Sequence, residues 1–585
     1  MKVVSDKLKE VMNQNIRPTT QFQASLEMID RSVESDTTVT TSTPTDFSTG
    51  VFDKVHEGDY VAFEENFFRV GSTQRILPDN NYIKNGYVSS VKCDTEGVFQ
   101  EIPIIEFSFN KARNFIAMTY DFSYDYPTEI RVTYYLDDEQ RGQFITMPTG
   151  TSFVDDDNHI GECNRITFEF LRMSAPNRRL RIARMLFGYE KKFEMTDILS
   201  VNHTLSIDPI SSSLPREKLI LKVSNFSKDY NPDNSHGIWE HFTNGQPLSI
   251  RYGVSIDDRI EWVEAGRLLL SDAPTVDANS ASFEAVDTIS TLTNEYCKGV
   301  WRGEDGISLY DLAVDVLADA GITNYVLSDS LKDIITLAPL PILSHRECLQ
   351  MIANAGGCVL YANQWGAVVI EKQELETEQP LDYHIDFTKV FEKPIVKKTE
   401  KLKSVDVKVH TLSVASEKSV LCNQMAIIDD TDEGKEIQVM YDTATDVEVS
   451  IVGKDAKMLH ATYYANTAFL QISAKYAVGI EVRGRVIKDD TSVCSTRVSD
   501  SGEVCPLDNP LITDTDRAKS VGEWVATYLK SRNTYDMNFR QDFTLDINDV
   551  VYIKSDFEDK IPARITKLQF KLPGQQGAVS VRRVK

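Results

Sequence analysis

Residues 51–192 consist of short alternating stretches, one after another, and no helical stretch interrupts them. Apolar and polar residues take turns in each stretch, as in a strand with one buried face. Short strands joined by close turns favour an antiparallel β-sandwich, which we predict for residues 49–192. The expected strands are Tyr60 to Phe63, Ile102 to Phe109, Phe115 to Tyr120, Glu129 to Leu136, Arg165 to Leu171 and Leu180 to Phe187.

An N-terminal arm with one strand is predicted before this sandwich, in residues 1–48. Residues 16–30 contain apolar residues that alternate with polar ones, which indicates a half-buried strand. These residues are Phe22, Ala24, Leu26 and Met28. Residues 35–50 are rich in Thr, Ser and Asp, a composition typical of a linker.

Two capped helices are predicted in residues 301–395. Each begins with a serine that an acidic residue follows three positions later, the spacing of a capping box. Each ends at a glycine, and an apolar hairpin follows the second helix, so we predict a small α/β domain. The serine, acid and glycine are Ser308, Asp311 and Gly321 for the first helix and Ser344, Glu347 and the pair Gly356-Gly357 for the second.

A further helix is predicted in residues 509–585. Thr513 and Asp516 have capping-box spacing, and Arg532-Asn533 is expected to end the helix. Apolar residues at three- and four-residue steps predict its buried face: Val521, Trp524, Val525, Tyr528 and Leu529. We expect Trp524 to be a core anchor on which a hairpin from Phe543 to Ile553, turning at Asn548-Asp549, packs.

A loop rich in Asn and Asp and the strand after it suggest a family. Residues 230–234 read Tyr-Asn-Pro-Asp-Asn, and Gly245-Gln246-Pro247 leads into an apolar strand. Asn and Asp tolerate the left-handed backbone of turns, and proline suits the start of a strand. Together with the capped helices, this region resembles the tail or baseplate hub family of tailed bacteriophages. The expected barrel strands include Leu219 to Val223, Glu264 to Leu270 and Ala281 to Asp287.

The resemblance implies a multidomain chain that is mainly β with α+β parts. Its domains would be hub-type β-barrels, the small α/β domain and an inserted β-sandwich. Besides the domains above, it implies a hub β-barrel at residues 193–300, a second barrel-like region at residues 396–508 and a helix-plus-hairpin domain at residues 509–585. Because hub-like strands flank the sandwich, residues 49–192 are predicted to be an insertion into the first hub domain.

The same resemblance implies a structural role in the virion, at the tail tip or baseplate, after assembly in the host cytoplasm. The chain would form a homotrimeric ring that links the tail tube to the baseplate and lines the DNA channel. Its partners would be tail tube or distal tail ring proteins, other baseplate or spike proteins and the tape measure protein. The alternatives are a peripheral receptor-binding protein that recognises host surface glycans and a cell-wall-active hydrolase.

The charge of the chain bears on its contact with DNA. A formal net charge of −25 opposes ordinary nucleic-acid binding, which requires clustered Lys and Arg. Such a charge suits a channel wall past which DNA moves without specific binding, and solubility alone is the other explanation. No apolar run approaches the roughly 20 residues that span a bilayer, and the N-terminus lacks the apolar stretch of a signal peptide, so no membrane segment is predicted.

Parts of the predicted sandwich resemble jelly-roll modules of carbohydrate-binding and discoidin-like type. The resemblance rests on Leu77-Pro78-Asp79, on Gly86 to Ser89 and on the final stretch from Arg179 to Gly188. A sugar site needs exposed aromatic rings beside polar groups. The candidate rings are Tyr82, Tyr87, Phe122, Tyr124 and Tyr126, and packing in the core or at its rim is the alternative role for each.

No catalytic residue, metal site or cofactor is predicted. The spacing of His236, Glu240 and His241 is not that of a zinc-binding helix, and no nucleophile elbow or phosphate-binding loop occurs. Asp155 to Asn158 offers oxygen ligands for Ca²⁺ without the spacing of a calcium loop, so a solvated turn is favoured. The eight cysteines are irregularly spaced, which indicates reduced thiols, and Cys494 with Cys505 is the one pair close enough in sequence to suspect.

Overall fold

The structure, a computed structural model, describes the chain except for residues 1, 3, 15, 30–32, 34–35, 43–59, 62–63, 65–75, 78–86, 116, 123, 235–236, 258, 304, 374, 376–382, 429–433 and 585. It is mainly β with several short helices, as the sequence predicts. The chain divides into two compact units. The shorter unit is Ser25–Lys192, and the longer unit is discontinuous, with Met1–Ala24 and Phe193–Lys585. The sandwich boundary predicted at residue 49 thus lies inside the shorter unit.

The N-terminal segment contains helix α1 (Asp6–Asn13) and strand β1 (Gln21–Ile29). The hydroxyl of Ser5 caps α1 by accepting a hydrogen bond from the backbone N–H of Leu8 at 3.0 Å. The apolar residues predicted to alternate inward are all buried, namely Phe22, Ala24, Leu26 and Met28. The prediction of a half-buried strand here is confirmed.

The shorter unit is built from two larger antiparallel sheets around an aromatic core and a separate two-stranded pair, β3 with β4. Its strands are β2 (Thr37–Thr41), β3 (Tyr60–Val61), β4 (Ile76–Leu77), β5 (Tyr87–Lys92), β6 (Ile104–Phe115), β7 (Met118–Phe122), β8 (Pro127–Leu136), β9 (Glu139–Thr146), β10 (Ser152–Asp155), β11 (Ile160–Met173) and β12 (Arg179–Phe193). One sheet has the order β2-β6-β11-β8-β9, and in the other β12 pairs with β5 and β7, and β7 with β10. Phe107 packs edge-on against Phe168 and Phe187, with ring centroids 5.6 and 5.0 Å apart.

One strand of this unit lies where the sequence predicted a linker. Strand β2 pairs with β6 from Thr37 to Thr41, within the Thr-rich stretch of residues 35–50. Threonine is β-branched and favours strands, so a Thr-rich composition fits an edge strand as well as a linker. Pairing with β6 makes residues 37–41 an edge strand and not a linker.

The longer unit resumes with six strands, four of which, β14, β15, β16 and β18, were predicted from the sequence. They are β13 (Ile198–Ser206), β14 (Arg216–Ser224), β15 (Pro247–Ile256), β16 (Arg259–Leu270), β17 (Thr275–Val276) and β18 (Ser280–Val286), followed by the short helix α2 (Thr288–Thr291). β14 pairs with β13 and β18, and β15 pairs with β16, all antiparallel. Pro247 begins β15 after Gly245, whose φ of +85° suits glycine. The single turn Trp239–His241 is a 3₁₀-helix.

An α/β region follows, and its main helices begin where the sequence predicts. Helices α3 (Leu309–Asp319) and α4 (His345–Gly356) have Ser308 and Ser344 as N-caps. Ser344 and Glu347 form the predicted capping box, and Gly357 ends α4 with a φ of 63°. The strands of this region are β19 (Glu295–Tyr296), β20 (Ile307–Ser308), β21 (Tyr325–Leu327), β22 (Ile335–Thr336), β23 (Leu343–Ser344), β24 (Cys358–Ala362) and β25 (Val368–Lys372), with a 3₁₀ turn at Asp329–Leu331. β24 and β25 are the predicted hairpin.

Strands dominate the next region as well. They are β26 (His384–Ile385), β27 (Ile395–Lys398), β28 (Leu402–Val414), β29 (Ser419–Ile427), β30 (Lys435–Met440), β31 (Ala444–Val452), β32 (Lys457–Tyr463), β33 (Thr467–Ser473), β34 (Ala477–Arg497) and β35 (Glu503–Leu507). The long strand β34 pairs with β29 and β31 through its first half and with β28 through its second half. β30, β33 and β32 form a second sheet.

The last region contains helix α5 (Thr515–Lys530) and four strands. The strands are β36 (Asn533–Arg540), β37 (Val550–Ile553), β38 (Ile561–Leu572) and β39 (Gln576–Arg583). β38 pairs with β37, β39 and β13, the last from Lys567 to Leu572. The C-terminal strands therefore continue the sheet of residues 198–286.

Four details of the predicted C-terminal region are wrong. The N-cap of α5 is Asp514 and not Thr513, because the Asp514 carboxylate accepts a hydrogen bond from the N–H of Arg517 at 2.7 Å. The helix ends at Lys530, and Asn533 already begins β36. Residues 543–548 form turns and not a strand. α5 packs on β28 and β34 instead of on the predicted hairpin.

Trp524 is half-buried on α5 and packs against the apolar core that Val521 and Val525 share with β28. Its indole Nε1 donates a hydrogen bond to the carbonyl oxygen of Gln373 at 3.0 Å. We expect Trp524→Ala to lower the free energy of unfolding by about 2–3 kcal/mol, below the 3–5 kcal/mol of a fully buried ring. Guanidinium unfolding would measure it, with Glu523→Ala on the exposed side of the same turn as control. Equal effects of the two changes would contradict a core role for Trp524.

Candidate functional site

The predicted sugar-stacking rings occupy different environments in the shorter unit. Tyr82 lies outside the described residues. Tyr87 and Phe122 are 1% and 6% exposed and belong to the core between the sheets, so neither ring offers a face to a ligand. Tyr124 and Tyr126 are half-buried in the loop after β7. Glycan binding stays a prediction, and among the candidate rings that the structure describes, Tyr124 and Tyr126 are the two that are partly accessible.

Charged residues surround the Tyr124 loop. The guanidinium of Arg181 pairs with the carboxylate of Glu64, and both side chains are almost completely buried. The Nε of Arg178 lies 2.9 Å from Oδ2 of Asp125. The guanidinium carbon of Arg181 lies 6.0 Å from the centroid of the Tyr124 ring, at the outer limit of a cation–π contact. The loop thus joins an aromatic ring to two ion pairs.

The backbone fixes the position of this loop. Tyr124 has a φ of 71°, a left-handed conformation unusual for a bulky residue. The N–H of Ser174 donates to the carbonyl oxygen of Tyr126 at 2.9 Å, and the N–H of Tyr126 donates to the Ser174 hydroxyl at 3.3 Å. These two bonds tie the loop to the segment that precedes β12. Backbone strain held by surrounding contacts is common at binding sites.

The electrostatics of this cluster suit binding better than acid–base catalysis. Burial raises the pKa of Asp125, while the nearby guanidinium groups of Arg178 and Arg181 oppose that shift. Each of the two carboxylates is paired with an arginine. Glycoside hydrolysis uses two carboxyl groups with separate roles, one proton donor and one nucleophile or base. The ion pairs are largely buried and hold the loop in place, so the half-buried rings are the groups of this cluster that a sugar can contact.

A second cluster of titratable groups lies in the sheet of the longer unit. His203 Nε2 is 2.8 Å from Glu217 Oε1, and its Nδ1 is 3.3 Å from the Tyr252 hydroxyl. Burial lowers the pKa of His203 to about 3 and raises the pKa of Glu217 well above its usual value. A Cβ at Gly266 would lie 2.7 Å from Glu217 Oε1, so the backbone of β16 packs directly against this carboxyl. We read it as a buried, neutral hydrogen-bond network. The sequence did not signal it, because its members come from three strands.

The remaining sequence candidates are structural. Asp155 accepts hydrogen bonds from the backbone and side-chain amides of Asn158 at 3.2 and 3.0 Å, which closes a turn. In the described part of the chain, no three His, Cys, Asp or Glu side chains are grouped to hold a metal ion. His236 lies outside the described residues. All eight cysteines are free, including Cys494 and Cys505. No helix among the described residues is long and apolar enough to cross a membrane.

Comparison with known proteins finds likeness only among solved structures. No family model and no curated protein matches the chain. The 43 kDa tail protein of prophage MuSo2 from Shewanella oneidensis is 12% identical, with a TM-score of 0.36, and the match covers 67% of this chain and 95% of that one. A tail protein from Neisseria meningitidis is 10% identical, with a TM-score of 0.38 and coverage of 67% and 93%.

A type VI secretion component from E. coli, described as similar to the T4 bacteriophage tail proteins gp27 and gp5, is 8% identical to this chain. Its TM-score is 0.31, and the match covers 66% of this chain and 73% of that one.

Proposed function

We propose that this chain is a structural hub protein of a phage tail tip or baseplate. The observation that carries the proposal is the assembly of its hub-like segments. The Asn-rich loop with its strands, the two capped helices and the C-terminal helix with its strands all belong to one compact unit, and Met1–Ala24, on the other side of the shorter unit in sequence, belongs to it as well. Strand β13 pairs with β38, which joins the beginning and the end of the segment Phe193–Lys585 in one sheet. A frame closed in this way can hold an insertion without losing its own core.

The proposed assembly is a homotrimeric ring in the virion, formed in the host cytoplasm. The ring would link the tail tube or a distal tail ring to other baseplate or spike proteins, receive the tape measure protein and surround the DNA. The net charge of −25 supports a channel that DNA passes without specific binding, because like charges repel.

Copy number and mass test this proposal. We expect three copies per tail particle and, at high concentration, an assembly of three times 66.1 kDa in light scattering. After removal of residues 25–192, the assembly should still have three times the mass of the shortened chain, since the longer unit would form the ring. A chain that stays monomeric at every concentration and occurs in six or more copies per particle would favour a peripheral protein.

Recognition of host glycans through the shorter unit is the second candidate function, and the cluster around Tyr124 and Tyr126 favours it. We expect Tyr124→Ala and Tyr126→Ala to reduce binding of the full chain to a glycan array by about tenfold, because a stacked ring supplies on the order of 1 kcal/mol or more. Tyr463→Ala, on the exposed part of β32 in the longer unit, is the control. Absence of binding by the unchanged chain at millimolar sugar would make the shorter unit architectural.

A further inference from the structure

A cleft of about 840 Å³ runs along helix α5 in the longer unit. The helix contributes Glu523, Trp524 and Lys530 to its lining, and β34 contributes Arg497. The end of β25 and the residue after it contribute Lys372 and Gln373. A cleft of this size falls within the range of specific binding sites. The site described above lies in the other unit and does not include these residues.

The floor of the cleft is rigid and partly apolar. The indole of Trp524 is fixed by its hydrogen bond to the carbonyl oxygen of Gln373. The side chain of Gln373 in turn accepts a hydrogen bond from Asn548 Nδ2 at 2.7 Å. Gly522 allows α5 to approach β34, because a Cβ there would lie 2.6 Å from the hydroxyl of Thr496. An occupant therefore meets a preformed surface, which lowers the entropy cost of binding.

The rim of the cleft is basic in a chain that is acidic overall. Among the described residues that line the cleft, Lys372, Arg497 and Lys530 are basic and exposed, and Glu523 is the one that carries a carboxylate. Arg497 forms an ion pair with Asp500, but both side chains are largely exposed, at 74% and 93%. Exposed pairs of this kind are weak, so a ligand carboxylate can replace Asp500.

We propose that this cleft binds an extended acidic segment of a partner protein in the tail. The carboxylates of the segment pair with the basic rim, and one apolar side chain lies against the indole of Trp524. Charge complementarity supports this occupant, since complementary charges steer association and fix the register of a bound segment. DNA is the less suitable polyanion, because phosphate binding depends on a larger basic surface than one short rim in a chain of net charge −25. The inference rests on the proposed tail function, for which it names the chemistry of a partner.

Fluorescence anisotropy with the full chain tests the proposal. The probe is a labelled peptide of alternating Glu and Leu, and its counterpart has Lys in place of Glu. We expect the acidic peptide to bind and the basic one not to bind. Lys530→Glu combined with Arg497→Glu should weaken binding of the acidic peptide by about tenfold or more, since reversed rim charges repel carboxylates. Lys454→Glu combined with Lys457→Glu makes the same change of net charge on exposed residues outside the cleft and should leave binding unchanged.

Three outcomes would overturn the proposal: no binding of the acidic peptide, equal binding by the reversed-rim variant, or displacement of the peptide by single-stranded DNA at lower concentration than by unlabelled peptide. The copy number in tail particles tests the proposed function, whereas peptide binding tests the cleft, so the two proposals can fail separately. Three copies per particle without peptide binding would reject the cleft proposal alone. Peptide binding by a chain that is absent from tail particles would reject the tail function alone.

Discussion

Gly188→Ala is expected to destabilise the shorter unit by about 3 kcal/mol, because the position accepts no side chain. Gly188 lies in β12 with a φ of +118°, which L-residues rarely adopt. A Cβ there would lie 2.1 Å from the carbonyl oxygen of Met28, a backbone atom that cannot rotate away. The strand cannot shift easily either, since Gly188 N–H donates to Ala117 O at 2.9 Å and Gly188 O accepts from the Thr119 hydroxyl at 2.8 Å.

Chemical unfolding followed by circular dichroism would measure this effect. Gly150→Ala is the matched control, because Gly150 lies in the same unit with Ser152 O, at 3.9 Å, as the nearest atom to an added Cβ. The control should change stability by less than about 0.5 kcal/mol. If both alanine variants unfolded at the same denaturant concentration, the packing of β12 described above would be wrong.

Glu217→Gln is expected to make the longer unit more stable than the unchanged chain, by an amount that grows as pH rises above 4.5. Burial raises the pKa of Glu217 above its ordinary value of 4.5, so the folded chain keeps a proton that the unfolded chain releases. The stability of the unchanged chain therefore falls as pH rises through this range, by up to about 1.4 kcal/mol per pH unit. Glutamine does not titrate and its amide can donate to His203 Nε2, as the protonated carboxyl does.

His203 changes the pH dependence of stability in the opposite direction to Glu217 and at lower pH. Burial lowers its pKa from 6.5 to about 3, so the unfolded chain takes up a proton first as pH falls below 6.5. That loss of stability affects both proteins and largely cancels in their difference. Above pH 6.5 the difference between the two proteins therefore reports Glu217.

Urea unfolding at pH 5, 6, 7 and 8 would measure the difference in stability. Glu284→Gln serves as control, because Glu284 is half-exposed on β18 and pairs with Lys218. The free energy of unfolding of the Glu284→Gln control, plotted against pH, should run parallel to that of the unchanged chain. A Glu217→Gln variant that lost stability relative to the unchanged chain between pH 5 and pH 8 would show that the buried carboxyl is ionised in the fold.

Local sequence signals predicted those elements whose ends are set by their own residues. Ser344 and Glu347 define the start of α4 because both partners of a capping box lie within one turn. The alternation from Phe22 to Met28 identifies a strand because one face of it is buried. At α5 the signal was ambiguous, since Thr513 and Asp514 are both good caps. Asp514 is the N-cap in the structure, while the Thr513 hydroxyl accepts a hydrogen bond from the N–H of Leu337 at 3.5 Å.

The candidate site was predictable only in part. Aromatic residues in a β-sandwich can be found by composition, but their exposure depends on which sheet face each one takes. Tyr87 and Tyr124 look alike in sequence, and the register of β5 buries the first while a left-handed turn leaves the second half-buried. The ion pairs of Arg181 with Glu64 and of Arg178 with Asp125 join residues distant in sequence, so no local pattern announces them.

By itself the sequence determined the mainly β class, the caps of α3 and α4 and the strands with one buried face, because these depend on residues a few positions apart. Only the tertiary structure decided that residues 37–41 form an edge strand, that residues 543–548 turn and that β38 pairs with β13. It also decided that α5 packs on β28 and β34. Each of these outcomes depends on a partner far away in the chain, and the free energy of burial and pairing with that partner outweighs weak local preferences.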